Sequence, residues 1–107
     1  MTPNRHMPPE WAPHAATWMG FPRDSYAESG LSRDEAQDAW SSVANAISGY
    51  EPVRMLCHPE DLAAAKRKLS ASIAVIPATL NDAWLRDIGP TFVLQDDALV
   101  AIDWQFN

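Results

Sequence analysis

Residues 53–76 read VRMLCHPEDLAAAKRKLSASIAVI, and they decide the fold. Val53 to Cys57 alternates apolar and polar positions as a strand does. Pro59 to Leu69 follows with helical character: acids in the first turn, bases in the last, matching the helix dipole, and Leu62, Ala65 and Leu69 as the buried stripe. Ile73 to Ile76 is apolar throughout, which predicts a strand covered on both faces. Working outward, Ser32 and Glu35 form an S-x-x-E capping box that opens a helix. Ala36, Trp40, Val43 and Ile47 recur on one side of it and Gly49 is its stop. Ala15 to Phe21, closed by Pro22, predicts a buried strand, and Arg23 to Leu31 a polar loop. Downstream, Thr91 to Leu94 and Leu99 to Trp104 flank Asp96-Asp97 as the two arms of a hairpin. Residues 1 to 14 hold Pro3, Pro8, Pro9 and Pro13 and are expected to be irregular. The order β-α-β-α-β followed by a hairpin implies an α/β module with mixed strands. The last apolar strand runs almost to Asn107 with no segment to finish its packing, so the chain reads as cut.

Composition narrows the function. The 107 residues suit one small domain, 47% hydrophobic and 21% charged, as in ordinary globular chains. No apolar run approaches the roughly 20 residues of a membrane span, and the first nine residues lack the apolar core of a signal peptide. A formal net charge of −6 argues against nucleic acid, whose phosphates need a basic surface. A single cysteine, Cys57, excludes an internal disulfide framework and points to a reducing, cytoplasmic setting. Five tryptophans are many for so small a chain, and some are expected to face a ligand or a neighbouring module.

The segment Trp84-Leu85-Arg86-Asp87-Ile88-Gly89-Pro90 carries the candidate chemistry. A carboxylate accepts two parallel N–H donors from a planar guanidinium, so Asp87 suits such a ligand; alternatively it bonds the amides of its own turn. Trp84 could cover an alkyl chain or the face of a cation, or be a core indole. Arg86 and Asp87 point apart in an extended chain, so Arg86 is expected to anchor the loop to another carboxylate or to carbonyls. Gly89-Pro90 is a turn element. Cys57, beside His58 at a strand end, is read as a small buried side chain rather than a nucleophile. His14 is read as a structural hydrogen-bonding residue, and His6 as solvated. The scattered histidines and lone cysteine lack zinc spacing, so no metal site is indicated.

Three ordered blocks resemble one family. Met7-Pro8-Pro9-Glu10-Trp11-Ala12-Pro13-His14 with Thr17-Trp18-Met19-Gly20-Phe21-Pro22, then Asn81 to Val93 around W-x-R-D-x-G-P, then Asp103-Trp104-Gln105-Phe106-Asn107, are similar to the agmatine deiminase and Porphyromonas-type peptidylarginine deiminase family. The resemblance implies a pentein fold, an α/β propeller of five ββαβ-type modules. Residues 1–107 would supply the first module and the start of the second, a single partial domain at the N-terminal end of the catalytic domain. It implies hydrolysis of agmatine's guanidinium to N-carbamoylputrescine and ammonia, in putrescine biosynthesis, by a cysteine nucleophile and a histidine, without cofactor. Carried onto this chain, Asp87 and Trp84 would bind substrate and Arg86 would give structural support. The catalytic Cys and His are expected beyond Asn107, which would leave these 107 residues inactive alone. The expected partner is a small cationic guanidine, with no nucleic acid or membrane, and a homo-oligomer is left open. Two alternatives stay in play: a peptidylarginine deiminase of the same fold, and a non-catalytic binding or assembly module.

Overall fold

A computed structural model describes residues 4–24, 26–80 and 82–105. The parts of the sequence reading that fall on Met1, Pro3, Ser25, Asn81, Phe106 and Asn107 lie outside the described residues. In chain order the elements are β1 (Arg5–His6), β2 (Thr17–Gly20), α1 (Arg33–Ser48), β3 (Val53–Cys57), α2 (Leu62–Lys68), β4 (Ala74–Pro77), α3 (Leu85–Ile88), β5 (Thr91–Gln95) and β6 (Ala98–Ile102). They fall into two compact units, one of His14–Leu85, the other of Met1–Pro13 with Arg86–Asn107.

The first unit is a parallel sheet in the order β2-β3-β4, with Met19 opposite Met55 and Met55 opposite Val75. Parallel strands need crossovers, and α1 and α2 provide them. The alternation in β3 sends Val53, Met55 and Cys57 into the core, where they meet Phe21, Ala44 of α1, Ala65 of α2, and Leu69 just past that helix. The opposite face carries Trp18, Arg54 and Ala74, in register and exposed. The Arg54 guanidinium sits 5.2 Å from the centre of the Trp18 ring. The sheet is thus one-sided, which corrects two expectations. Residues 73–76 are not covered on both faces, because Ala74 is exposed and Val75 and Ile76 are half-buried. Likewise β2 is a half-exposed edge strand, and it is Phe21, just past its end, that is fully buried.

Helix α1 starts as its sequence prescribes. Ser32 Oγ accepts from Glu35 N–H at 3.1 Å and the Glu35 side chain accepts from Ser32 N–H, closing the capping box. Of the expected stripe, Ala36 is buried, Ile47 packs against the core and Trp40 is half-buried, but Val43 is 53% exposed, and Gln37, Ser41 and Ala44 are inside in addition. Small side chains let the helix lie close to the sheet, and Gln37 is satisfied by donating to the Pro22 carbonyl at 3.0 Å. Gly49 ends the helix in right-handed geometry, φ −74°, so its left-handed freedom is unused. The second crossover opens as a 3-10 turn, Pro59–Asp61, before the α-helical part, with His58 Nδ1 accepting from Glu60 N–H at 3.2 Å. Arg23, after β2, clamps this turn by ion pairs to Asp61 (2.9 Å) and Glu60 (2.8 Å).

The second unit is an antiparallel sheet in the order β1-β5-β6. Asp96 and Asp97 are the two-residue hairpin turn, with φ of 51° and 68°, the left-handed pair that matches strand twist. β6 stops at Ile102, short of Trp104, whose Nε1–H donates to Thr91 Oγ1 at 2.9 Å. The segment expected to be irregular contributes β1, two residues paired with Gln95 and Leu94 at the sheet edge; the flanking prolines limit its length but not its pairing. Among the described residues no helix is long and apolar enough to cross a membrane.

Candidate functional site

The carboxyl ends of β2 and β4 both lead to aromatic residues. In parallel sheets ligands gather outside these ends, because the loops there leave the sheet's hydrogen-bonding order and are free to vary. After β4, Leu80 and Ala83 are buried and pin the chain against the end of β2. That approach depends on Gly20: a Cβ there would lie 3.2 Å from both the Ala83 Cα and a Leu80 methyl. Asp82 Oδ1 accepts from Ala83 N–H at 2.7 Å and from the Tyr26 hydroxyl at 3.4 Å. Burial and the Asp82 charge push the Tyr26 hydroxyl above its usual pKa.

Trp84 is not a core indole: it is 48% exposed. Its inner part meets two rings edge-on, Trp40 at 5.3 Å between centroids and Tyr26 at 5.8 Å, and those two stack on each other at 5.4 Å and 13°. Sequence reading missed Tyr26 and Asp82, and gave Trp40 only a place in a helical stripe. No periodicity links positions 26, 40 and 84; the sheet's crossovers bring them together.

Asp87 and Arg86 lie in α3, a single helical turn where an extended segment was expected. Successive helical residues still diverge, so the two do not face each other. Arg86 Nη2 instead pairs with Glu10 Oε1 at 2.8 Å, the carboxylate anchor expected of it. Both partners are largely exposed, so the pair orients the turn more than it stabilises the fold. Asp87 is exposed, and among the described residues nothing hydrogen-bonds to its carboxylate. The turn's own amides therefore do not occupy it.

The other candidate chemistry is inert. Cys57 is fully buried, its thiol pushed up to about 11 first by burial and then by the Asp61 charge, and it donates to the His58 carbonyl at 3.4 Å. A thiol so protonated is a poor nucleophile at neutral pH. His58 is used as a helix cap, and His14 Nδ1 lies 3.1 Å from Glu51 Oε2, tying the entry of β2 to that of β3. Among the described residues no group of three or more His, Cys, Asp or Glu side chains converges as a metal site requires. Shallow depressions beside Leu69 and Ile73, and beside Tyr50 and Pro52, lie toward the amino ends of the strands and offer no carboxylate–aromatic pair.

Residues 6–107 match the family model described as Porphyromonas-type peptidyl-arginine deiminase. The chain belongs to that family. It is 42% identical over 106 residues to the agmatine deiminase of Stutzerimonas stutzeri, covering 95% of this chain and 28% of the relative. Against the agmatine deiminase of Ectopseudomonas mendocina it is 41% identical over 106 residues, with the same coverage. A solved structure, the agmatine deiminase of Enterococcus faecalis catalysing its reaction, superposes with a TM-score of 0.81 at 31% identity, over 96% of this chain and 28% of that one. The chain thus spans 28–30% of the length of the curated relatives it matches. Its mixed α/β architecture is that of these deiminases. Within this deiminase-family chain, the Asp87 carboxylate is exposed and without a hydrogen-bond partner among the described residues, while the Cys57 thiol is locked in the core.

Proposed function

We propose that this chain forms part of the substrate site of an enzyme that hydrolyses the guanidinium of agmatine to N-carbamoylputrescine and ammonia, a step toward putrescine. The single observation that carries the reading is the Asp87 carboxylate: exposed, unpaired among the described residues, and set in a turn that Arg86 and Glu10 brace. Asp87 would accept parallel N–H donors from the guanidinium and fix its plane, Trp84 would cover the cation or its alkyl chain, and Arg86 would support the turn. The names of the similar deiminases support the choice of agmatine.

Guanidinium carbon is a weak electrophile because resonance spreads its charge. Holding the nitrogens in one plane lets a thiolate attack the carbon along a fixed line; ammonia leaves, and water releases the ureido product from the sulfur. Cys57 cannot be that sulfur, since it is buried and protonated. In our reading the nucleophile and its histidine lie in sequence outside residues 1–107. These residues are then the first ββαβ-type module and the start of the second in a five-module pentein, inactive alone, working in the cytoplasm and needing no cofactor.

Ammonia release from agmatine by the protein as its gene encodes it, with product mass determined, tests the reading. We expect turnover, and an Asp87→Asn loss of about 2 to 4 kcal/mol of transition-state stabilisation, roughly 30- to 1000-fold in kcat/KM. No release from agmatine would overturn the reading. The matching family's description favours one second substrate, peptidyl arginine; turnover of an arginine peptide in preference to agmatine would select it.

A further inference from the structure

Trp84 does not stand alone at the candidate site. It is one corner of a closed triangle with Tyr26 and Trp40, each ring touching the other two at 5.3 to 5.8 Å between centroids. We infer that Tyr26 and Trp40 are positioning residues that hold the Trp84 indole in one orientation for the substrate's cationic chain. The inference rests on the reading of Trp84 as a substrate-binding residue.

Three features support it. First, the rings pack on one another at centroid distances too short to seat a cation between them, and Trp84 keeps 48% of its surface exposed for a ligand. Second, both contacts to Trp84 are edge-on (79° to Tyr26, 66° to Trp40), the arrangement ring quadrupoles favour, while Tyr26 and Trp40 stack nearly parallel and brace each other. Rotation of the indole about its own side-chain bonds would break both contacts together. Third, the triangle is tied to the backbone beside Trp84. Tyr26 donates to Asp82 Oδ1, and that same oxygen accepts from Ala83 N–H, one residue before the indole. The three rings come from the loop after β2, from α1, and from the segment after β4. An indole half-exposed in water would otherwise sample several rotamers, and ordering it would count against binding.

A double-mutant cycle in the protein as its gene encodes it tests this, with agmatine as the probe. Trp40→Leu keeps an apolar side chain but removes the ring. It should raise KM about three- to tenfold while kcat stays within about twofold. Trp40→Phe, which restores a ring, should recover KM to within about twofold. Trp84→Leu should raise KM at least as far as Trp40→Leu, and the double variant no further than Trp84→Leu, because Trp40 then has nothing to orient. Near-UV circular dichroism should lose the signal of the coupled Trp40–Trp84 indoles in either single variant. If Trp84→Leu raises KM but Trp40→Leu does not, or if the two effects simply add, the positioning role is overturned and the role of Trp84 survives. If Trp84→Leu leaves KM unchanged, the role of Trp84 itself fails and the inference falls with it. Should Trp40→Leu not fold, Tyr26→Leu against Trp84→Leu runs the same cycle, with Tyr26→Phe as the ring-keeping control.

Discussion

The two units of this chain differ in where their apolar surface goes. In the parallel unit Phe21, Val53, Met55, Cys57, Ala65 and their neighbours are closed into a core under two helices. In the antiparallel unit Val93 is the one buried hydrophobic residue among those described. Its Phe92, Leu94, Leu99 and Ala101 line up as cross-strand pairs on one face, yet Leu99 is 70% exposed and Phe92 45%. The first unit therefore holds its shape by burial, and the second by hydrogen bonds, a turn and a register. The candidate carboxylate sits on the second, and the candidate indole, with its aromatic support, on the first. A side chain on a thinly cored element has few buried contacts to hold it, whereas the Trp84 indole has two rings packed against it.

The widest gap between the units should appear on deleting a phenyl ring from each. Phe21→Ala, in the core of the parallel unit, should destabilise by about 3 to 5 kcal/mol in chemical denaturation. Phe92→Ala, on the open sheet face, should cost about 0.5 kcal/mol or less. Equal losses would break the comparison, since they would mean that the Phe92 face is as fully covered as the core. Next comes Asp87→Asn, whose expected 30- to 1000-fold loss of kcat/KM should leave the denaturation midpoint unmoved, because nothing in the described residues leans on that carboxylate. A lowered midpoint would make Asp87 a structural residue of the turn.

How much of this was legible beforehand follows the same divide. The capping box at Ser32, the alternation of Val53 to Cys57 and the Asp96-Asp97 turn are local devices, and each stands where the sequence placed it. What escaped depended on partners. The buried side of α1 was judged only in part: Ala36 and Ile47 face the core as expected, but counting apolar residues overlooked Ser41 and Ala44, and Gln37, which is accepted by a bond to Pro22. The two-sided cover expected for 73–76 failed because an apolar run does not say how many layers surround it. At the candidate site, Trp84, Arg86 and Asp87 could be picked out by residue type and spacing. The Tyr26–Trp40–Asp82 support could not, since its contacts join residues some 14 to 58 positions apart in the sequence.

A smaller effect sharpens the view of the antiparallel unit as held by its turn. Asp97 sits at φ 68°, where a side chain is strained and glycine is not. Asp97→Gly should stabilise that hairpin by roughly 0.5 to 1 kcal/mol, read by hydrogen exchange across β5 and β6. Asp96 is the wrong place for the same change despite its similar φ. Its N–H donates to the Asn4 carbonyl at 3.0 Å and its Oδ1 accepts from Asn4 N–H at 3.3 Å, which joins the turn to the chain just before β1. If Asp97→Gly slows exchange no more than Asp96→Gly does, turn geometry is not what holds the sheet.

The smallest effect concerns the entry of the parallel sheet. Glu51 accepts from the Thr17 hydroxyl at 2.9 Å and meets His14, and Thr17 N–H donates to the Pro52 carbonyl at 2.8 Å, so three contacts join the starts of β2 and β3. The hydrogen bond from His14, then that from Thr17, holds the Glu51 carboxyl below its usual value of 4.5. A carboxylate whose pKa is lower folded than unfolded contributes stability above the unfolded value and loses it as pH falls through the folded one. The melting temperature should therefore decline as the pH is lowered below about 4.5, and Glu51→Gln, which cannot ionise, should decline less over the same interval. Asp34, likewise held below its usual value by Lys68 at the surface, is present in both proteins and gives them a common background. The Glu51 contribution is accordingly the difference between the two slopes. Identical slopes would remove this contact from the parallel unit's account and leave its acid sensitivity to the surface pair.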